Sequence, residues 1–252
     1  MIITLTTDFG ARDGFVGAMK GVIARLTPEA RVVDVAHDIP RHDIAHGAWV
    51  LATAAGDFPS GTIHVAVVDP GVGSARLEVI VAAGGQLFVG PDNGLFQHVA
   101  AWGVEGTWAI TSPAFRLPDA APTFHGRDVF APAAAALARG LPPEAAGPAT
   151  CLAGALAWPP AVAGGLRGHI VHIDVYGNLI SDLRLPSGLA PSARVVLGTH
   201  VLPISRTYAD VPAGAALAYV GSAGTLELAL RDGDAAAAWR VRRGAWIEVQ
   251  GG

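Results

Sequence analysis

The chain has a single cysteine among 252 residues. One thiol, Cys151, excludes an internal disulfide and any metal site built on several thiolates. With no partner it reads as a small buried residue rather than a nucleophile. Charge of one sign is also scarce: 17 Lys and Arg against 21 Asp and Glu leave a formal net charge of -4, with no basic run. That removes the electrostatic footprint of a nucleic-acid-binding protein or of one held on an anionic membrane, so a small ligand is the default partner. Long apolar runs are missing too. The Ala-rich window 129–141 is broken by Pro, Arg and Gly and falls short of the ~18 apolar residues a membrane span needs. The chain opens directly into Ile2-Ile3-Thr4-Leu5, without the basic region and cleavage site of a signal peptide. A cytoplasmic location is therefore expected.

The chain is long enough to bury a real core, as one large domain or two modest ones. Its most informative stretch runs Ile63-His64-Val65-Ala66-Val67-Val68-Asp69-Pro70-Gly71-Val72-Gly73-Ser74-Ala75-Arg76. An apolar, β-branched run bounded by Gly and Pro is the pattern of a central parallel strand, and in open α/β sheets ligands sit beyond the carboxyl ends of such strands. Asp69 is placed there, although an Asp-Pro pair also opens ordinary turns. Residues 2–7 repeat the arrangement, ending in Thr6-Thr7-Asp8-Phe9-Gly10. A helical face of Phe15, Met19, Val22, Ile23 and Leu26 follows, stopped by Pro28, and 32–36 reads as the next strand. Strand, helix, strand in this order calls for a crossover and hence a parallel sheet. The expectation is an α/β N-terminal domain with a mainly parallel central sheet.

Several polar clusters are candidates for chemistry. His37-Asp38-Ile39-Pro40-Arg41-His42-Asp43-Ile44-Ala45-His46 is dense in His and Asp, which suits a metal site, yet Asp43 equally suits the cap of a helix over 45–55. Trp49 on that helix fits either a core or a planar ligand. Gly71-Val72-Gly73 is not a dinucleotide fingerprint, because Arg76 stands at the third Gly position and a strand, 77–82, follows. Asp92 and Asn93, after a strand at 87–89, suit ligand contacts or Asx turns. Thr123-Phe124-His125-Gly126-Arg127-Asp128 precedes a helix at 129–138, where free backbone N–H groups favour an anionic group or Asp128 serves as the cap.

From 140 to 165 the composition shifts to Pro, Ala and Gly, with Pro142-Pro143, Pro148 and Pro159-Pro160 preventing any long element. The expected organisation is an α/β domain at 1–150, a linker at 151–165 and a smaller domain at 166–252. Short strands at 169–174, 178–183, 193–197, 225–230 and 245–250, separated by turn signals, suggest a small all-β barrel or sandwich. Tyr176-Gly177-Asn178 is read as a tight turn presenting an aromatic face and an amide.

Six of these stretches resemble one family. Thr6-Thr7-Asp8-Phe9-Gly10, His37-Asp38-Ile39-Pro40, Val68-Asp69-Pro70-Gly71-Val72-Gly73, Gly90-Pro91-Asp92-Asn93-Gly94, Thr123-Phe124-His125-Gly126-Arg127-Asp128 and Asp174-Val175-Tyr176-Gly177-Asn178 are similar to the adenosine-forming S-adenosylmethionine (SAM) hydrolases, or SAM hydroxide adenosyltransferases, relatives of the SAM-dependent fluorinase and chlorinase. The match runs the length of the chain in the right order. The resemblance implies an α/β domain followed by a β-barrel domain. It also implies a homotrimer with SAM bound between the first domain of one subunit and the second domain of its neighbour, products adenosine and L-methionine, and no cofactor or metal.

The resemblance assigns Asp69, Arg76 and His125 to handling water; the fluorinase carries Tyr at the positions of Asp69 and His125. It places Asp8 on the ribose hydroxyls and Trp49 and Phe124 around the ribose and methionine. Asp174 and Asn178, beside Tyr176, fall at the methionine amine and adenine, with Ser222 and the 227–229 backbone completing the contacts. Relatives carry an Asn-rich turn where this chain has Arg231-Asp232-Gly233-Asp234, so side-chain contacts to adenine are not expected there. The chemistry asks for a desolvated water in line with the C5'–S bond, since orientation alone is worth ~7 to 11 kcal/mol. Asp69 accepts from that water with Arg76 as its orienting partner, and His125 either positions the water or takes its proton. Three other readings stay open: a chloride-using halogenase, a SAM or adenosine-binding protein without turnover, and a metal-dependent hydrolase built on Asp8, His37, Asp38 and Asp69.

Overall fold

The computed structural model describes residues 1–156, 161, 165–186, 190 and 192–251. The prolines Pro159 and Pro160, read above as barring a long element, lie outside the described residues. The chain divides into two compact units, Met1–Ala157 and Trp158–Gly252.

The first unit alternates strand and helix at its start: β1 (Ile2–Thr7), α1 (Phe15–Leu26), β2 (Arg31–Ala36), α2 (Ile44–Ala55) and β3 (Ile63–Val67). It continues with β4 (Glu78–Ala83), β5 (Gln86–Pro91), the one-turn α3 (Gln97–Ala100) and β6 (Val104–Ala109). A π-helical turn, Gly126–Phe130, runs directly into α4 (Ala131–Ala138). The six strands form one sheet in the order β2-β1-β3-β5-β4-β6.

This sheet is mixed rather than mainly parallel. β1 pairs in parallel with β2 and β3, and β3 with β5, but β4 is antiparallel to both β5 and β6. The cause is local. Gly84 and Gly85 both take positive φ, at 58° and 72°, the geometry of a two-residue hairpin turn whose twist matches that of the flanking strands. β4 and β5 therefore fold back on one another instead of being joined by a crossover.

Period-two alternation divides the core between the two faces of the sheet. Ile3, Leu5, Val65 and Val67 join Met19 and Ile23 of α1 and the buried Ala-rich α4 on one side. Ala66, Val68, Phe88 and Phe96 join Ala48 and Leu51 of α2 on the other. α2 begins at Asp43, whose Oδ1 accepts the His46 N–H at 3.0 Å. α1 stops before Pro28, with the Thr27 N–H closing on the Ile23 carbonyl.

The second unit is β7 (Arg167–Ile173), β8 (Leu179–Ser181), β9 (Arg194–Leu197), β10 (His200–Pro203), β11 (Ala216–Val220), β12 (Leu226–Leu230), the short α5 (Ala235–Trp239) and β13 (Trp246–Gln250). Its antiparallel sheet runs β10-β9-β13-β7-β8-β12-β11. A bridge between Ile204 and Ala218 draws the β10 edge towards the β11 edge, so the sheet nearly closes on a core that includes Ile170, Leu179, Val195, Leu202, Leu228 and Val249.

Three local expectations are corrected. Cys151 is exposed, not buried, because it lies in an irregular stretch just past the contacts that Ala149 and Thr150 make with β6. Phe15, assigned to the buried face of α1, is 47% exposed at the first position of the helix. The helix expected from residue 129 begins as the π turn at Gly126. The Arg127 and Asp128 N–H groups are taken by the Phe124 carbonyl at 3.2 and 3.1 Å, so they offer no anion site there. Asp128 is not its cap; its carboxylate pairs with Arg127 and accepts the Ala121 N–H.

Candidate active site

β3 is buried along its whole length and delivers Val68 and Asp69 at its carboxyl end. The Asn93 amide donates to the Val68 carbonyl at 2.9 Å and fixes that exit. Two consecutive turns then reverse the chain: the Val72 N–H reaches the Asp69 carbonyl and the Ser74 N–H reaches Gly71. Gly73 is needed inside them. Its φ is +77°, and a Cβ there would sit 2.8 Å from the Pro122 carbonyl oxygen, so only glycine lets this loop press against the segment that leads to His125.

The reversal brings Arg76 back onto Asp69 as a fork on a carboxylate. Arg76 Nε donates to Asp69 Oδ1 at 3.0 Å and Nη2 to Oδ2 at 2.5 Å, the two-pronged geometry that gives such pairs their strength and direction. Both side chains are nearly buried, at 9% and 4% exposure. Arg76 also lies over the Phe130 ring, with Cζ 5.6 Å from its centroid. His125 comes from the far side of the sequence, and its Nδ1 lies 2.8 Å from Arg76 Nη2. The structure thus brings Asp69, Arg76 and His125 together.

A fourth group joins them that sequence reasoning missed. Glu78, the first residue of β4, places Oε1 3.0 Å from His125 Nδ1 and 3.4 Å from Arg76 Nη1. The available signal was a lone charge opening the otherwise apolar strand Glu78-Val79-Ile80-Val81. The surroundings push the His125 proton affinity below the ordinary imidazole value. Burial is the main cause and the Arg76 guanidinium the second, opposed by the negative charges of Glu78 and Asp69.

Asp69 and His125 face a cavity of about 140 Å³ lined also by Phe9, Phe15, Val67, Val72, Thr123, Phe124 and Gly126. Phe9, Phe15 and Phe124 meet edge to face with centroids 5.2 to 6.0 Å apart. That volume is smaller than the ~300 Å³ or more of a complete small-molecule pocket. It suits a reacting centre with a water, held between apolar rings on one side and a charged cluster on the other. Phe9 and Phe15 were not foreseen here, because aromatic residues beside a strand end read as core.

The other expected residues lie elsewhere. Asp8 follows β1, and its Oδ2 accepts the His42 N–H at 2.9 Å, where His42 takes a positive φ of 64°. Trp49 is 8% exposed on α2, edge-on to His98, and does not line the Asp69 cavity. Asp92 and Asn93 are structural: Asp92 accepts the Ala153 and Gly154 N–H groups, and Asn93 accepts the Leu95 N–H. His37 Nδ1 pairs with Thr7 Oγ1, and its Nε2 stands 3.0 Å from Asp34 Oδ1 as an ion-pair contact. Among the described residues no three His, Cys, Asp or Glu side chains converge as metal ligands.

In the second unit an open cleft of about 710 Å³ collects Asp174, Tyr176, Asn178 and Ser222 with Tyr208, Tyr219 and Glu227. The Asp174 carboxylate accepts the Tyr176 and Asn178 N–H groups and the Asn178 amide, all at 2.9 Å. This ties the β7–β8 turn to one shape and leaves Tyr176 75% exposed. Tyr219 donates to Glu227 Oε2 at 2.5 Å, and Tyr208 joins them through its hydroxyl. Burial raises the Glu227 proton affinity above the carboxylate norm. Asp232 and Gly233 line the same cleft, while Asp234 caps α5 through the Ala237 N–H.

Comparison with known proteins agrees with this layout. The family model of the SAM hydroxide adenosyltransferase N-terminal domain matches residues 3–147 and that of the C-terminal domain residues 168–248. An (R)-S-adenosyl-L-methionine hydrolase from Thermus thermophilus is 42% identical over 254 residues, covering 96% of this chain and 97% of its own. One from Salinispora arenicola is 42% identical over 258 residues, covering 99% and 98%. A fluorinase from Nocardia brasiliensis is 27% identical over 291 residues, covering 100% and 97%. A crystal structure of an uncharacterized conserved protein from Thermotoga maritima superposes with a TM-score of 0.89 at 33% identity, over 99% of this chain and all of that one. With both domain models matched in order and hydrolase relatives aligned end to end, this chain belongs to the SAM hydroxide adenosyltransferase family.

Proposed function

We propose that the protein hydrolyses S-adenosyl-L-methionine to adenosine and L-methionine. The observation that carries the mechanism is the Asp69, Arg76 and His125 cluster facing a small apolar cavity. Water attacks C5' of the ribose in line with the C5'–S bond. The new bond is O–C5', and the C5'–S electron pair leaves with sulfur, so that the sulfonium departs as the neutral thioether of methionine. The water's second proton is lost to the protein and then to solvent. Arg76 holds the Asp69 carboxylate with two bonds, and the carboxylate's remaining lone pairs orient the water. His125, its proton affinity lowered by burial and by Arg76, positions the water or takes its proton.

Phe124 packs against the substrate at the apolar wall. Asp8 takes the ribose hydroxyls, with Trp49 nearby in the loaded site. The second-unit cleft supplies Asp174, Tyr176, Asn178 and Ser222 to the methionine and adenine ends. Each half-site is incomplete alone, which fits assembly as a homotrimer with SAM between neighbouring subunits in the cytoplasm.

The test is incubation of the EDTA-treated protein with SAM in chloride-free buffer made with oxygen-18 water, followed by mass spectrometry of the nucleoside. Adenosine carrying the heavy oxygen at C5' is expected. Unchanged SAM despite binding would overturn hydrolysis in favour of a binding protein. A 5'-chloro-5'-deoxyadenosine product on adding chloride would reveal a halogenase.

A further inference from the structure

Glu227 is the second residue of β12 and stands directly across from Tyr219 of β11. Leu226 and Leu228 on either side of it point into the core, so strand alternation puts Glu227 on the opposite face, where it lines the cleft of the second unit. It is nevertheless only 8% exposed. Its Oε2 accepts the Tyr219 hydroxyl, which in turn meets the Tyr208 hydroxyl. Tyr219 has one hydrogen to give, so the hydrogen between the two phenols comes from Tyr208. Both donors run towards one carboxylate.

Oε1 is different: among the described residues it has no hydrogen-bond partner. It rests against Gly221, where a Cβ would collide with it. Gly221 does not take a positive φ, so the missing side chain makes room for the carboxylate and does not serve the turn. The neighbouring Asp174 is already engaged, with Oδ1 on the Tyr176 and Asn178 N–H groups and Oδ2 on the Asn178 amide. No Lys or Arg is among the described residues that line this cleft. Burial raises the proton affinity of Glu227, the Tyr219 hydrogen bond opposes that rise, and the charge of Asp174 adds to it. A buried anion with a second anion beside it is complementary to a positive group.

We propose that Glu227 is a specificity-determining residue for the substrate: its Oε1 accepts a hydrogen bond from the α-ammonium of the methionine part of SAM, while Tyr219 and Tyr208 hold the carboxylate in place. The inference deepens the hydrolase reading and rests on it. SAM carries two positive groups, and the sulfonium belongs beside C5' at the water-handling cavity. The ammonium is the one left for this cleft. The adenine amine is neutral and would form a bond only about half as strong.

The test is calorimetric binding of two ligands that do not turn over. S-adenosyl-L-homocysteine keeps the ammonium but has a thioether in place of the sulfonium leaving group; its desamino counterpart has hydrogen in place of the ammonium. The wild type is expected to hold the first on the order of 10- to 100-fold tighter, as for a hydrogen bond to a charged group. Glu227→Gln keeps the shape and removes the charge, and should lose most of that preference while binding the desamino ligand as before. Tyr219→Phe leaves the charge but frees the carboxylate, and should lose a smaller part; it also carries the test if Glu227→Gln does not fold. With SAM, KM should rise in Glu227→Gln with kcat little changed, the mark of binding lost equally from ground and transition states. An unchanged preference in the variants, or equal weakening of both ligands, overturns the role of Glu227 and leaves the hydrolase reading standing. A wild type that binds neither ligand overturns the SAM reading and this inference with it.

Discussion

Replacing Asp69 by Asn tests the centre of the site through stability and rate together. The substitution keeps the volume and one acceptor but removes the charge that faces Arg76 through two bonds of 3.0 and 2.5 Å. Both partners are almost out of solvent, and breaking a buried pair by deleting one charge costs ~3 to 5 kcal/mol. Glu78 stands 3.4 Å from Arg76 Nη1 and keeps the guanidinium from being wholly unpaired, so the lower end, about 3 kcal/mol, is expected. For a unit of this size each kcal/mol moves the midpoint by roughly 2 to 4 °C, hence a fall in Tm of roughly 6 to 12 °C by circular dichroism. In the rate, an oriented acid–base group contributes on the order of 10²- to 10⁴-fold. kcat should drop within that range while SAM binding, measured by calorimetry, is largely retained. An unchanged Tm would mean the Asp69–Arg76 fork is not formed in solution. Equal loss of binding and turnover would make Asp69 a binding residue and refute its role towards water.

Asp8→Ala should raise KM for SAM by roughly 10- to 100-fold, the worth of a hydrogen bond to a charged acceptor, with a smaller effect on kcat; an unchanged KM removes Asp8 from the ribose site. Gly73→Ala forces a side chain into a φ of +77° and against the Pro122 carbonyl. It should cost ~1 kcal/mol or more and depress kcat by shifting His125 away from Asp69; a fully active variant would show that the two loops do not depend on this contact. Fully buried His64 bonds Thr4 through Nδ1 and Gln86 through Nε2, and burial lowers its pKa to about 4. Its folded value lies below the unfolded ~6.5, so the stability it contributes is present above that pH and is lost as pH falls towards 4. Urea unfolding at pH 5 should show about 2 kcal/mol less stability than at pH 7, and His64→Gln should remove that difference.

The parts of this molecule that were legible in the sequence are those where one local pattern has one physical outcome. The apolar run before Asp69 had to be a buried strand, and the Asp43 cap and Pro28 stop bounded their helices where the structure has them. The mixed sheet was missed because strand direction depends on the connection. Gly84-Gly85 carried that information as a hairpin turn, but the strands on either side read the same in either direction. β6, β10 and β11 went unread because each packs by its neighbours more than by its own period. The π turn at Gly126 has no sequence period of its own, so the start of α4 and the role of Asp128 were both misplaced.

The candidate site divides in the same way. Asp69, Arg76 and His125 stand in motifs whose residue types announce chemistry, whereas Glu78 acquires meaning only from distance, since 47 residues separate it from the ring it touches. Charge in a buried cluster is governed by what else is buried with it. Arg76 Nη2 meets His125 Nδ1 and, with burial, lowers its proton affinity, while Glu78 and Asp69 raise it. A buried cation that orients Asp69 and a histidine can therefore share one small site because two carboxylates, Asp69 and Glu78, stand around them.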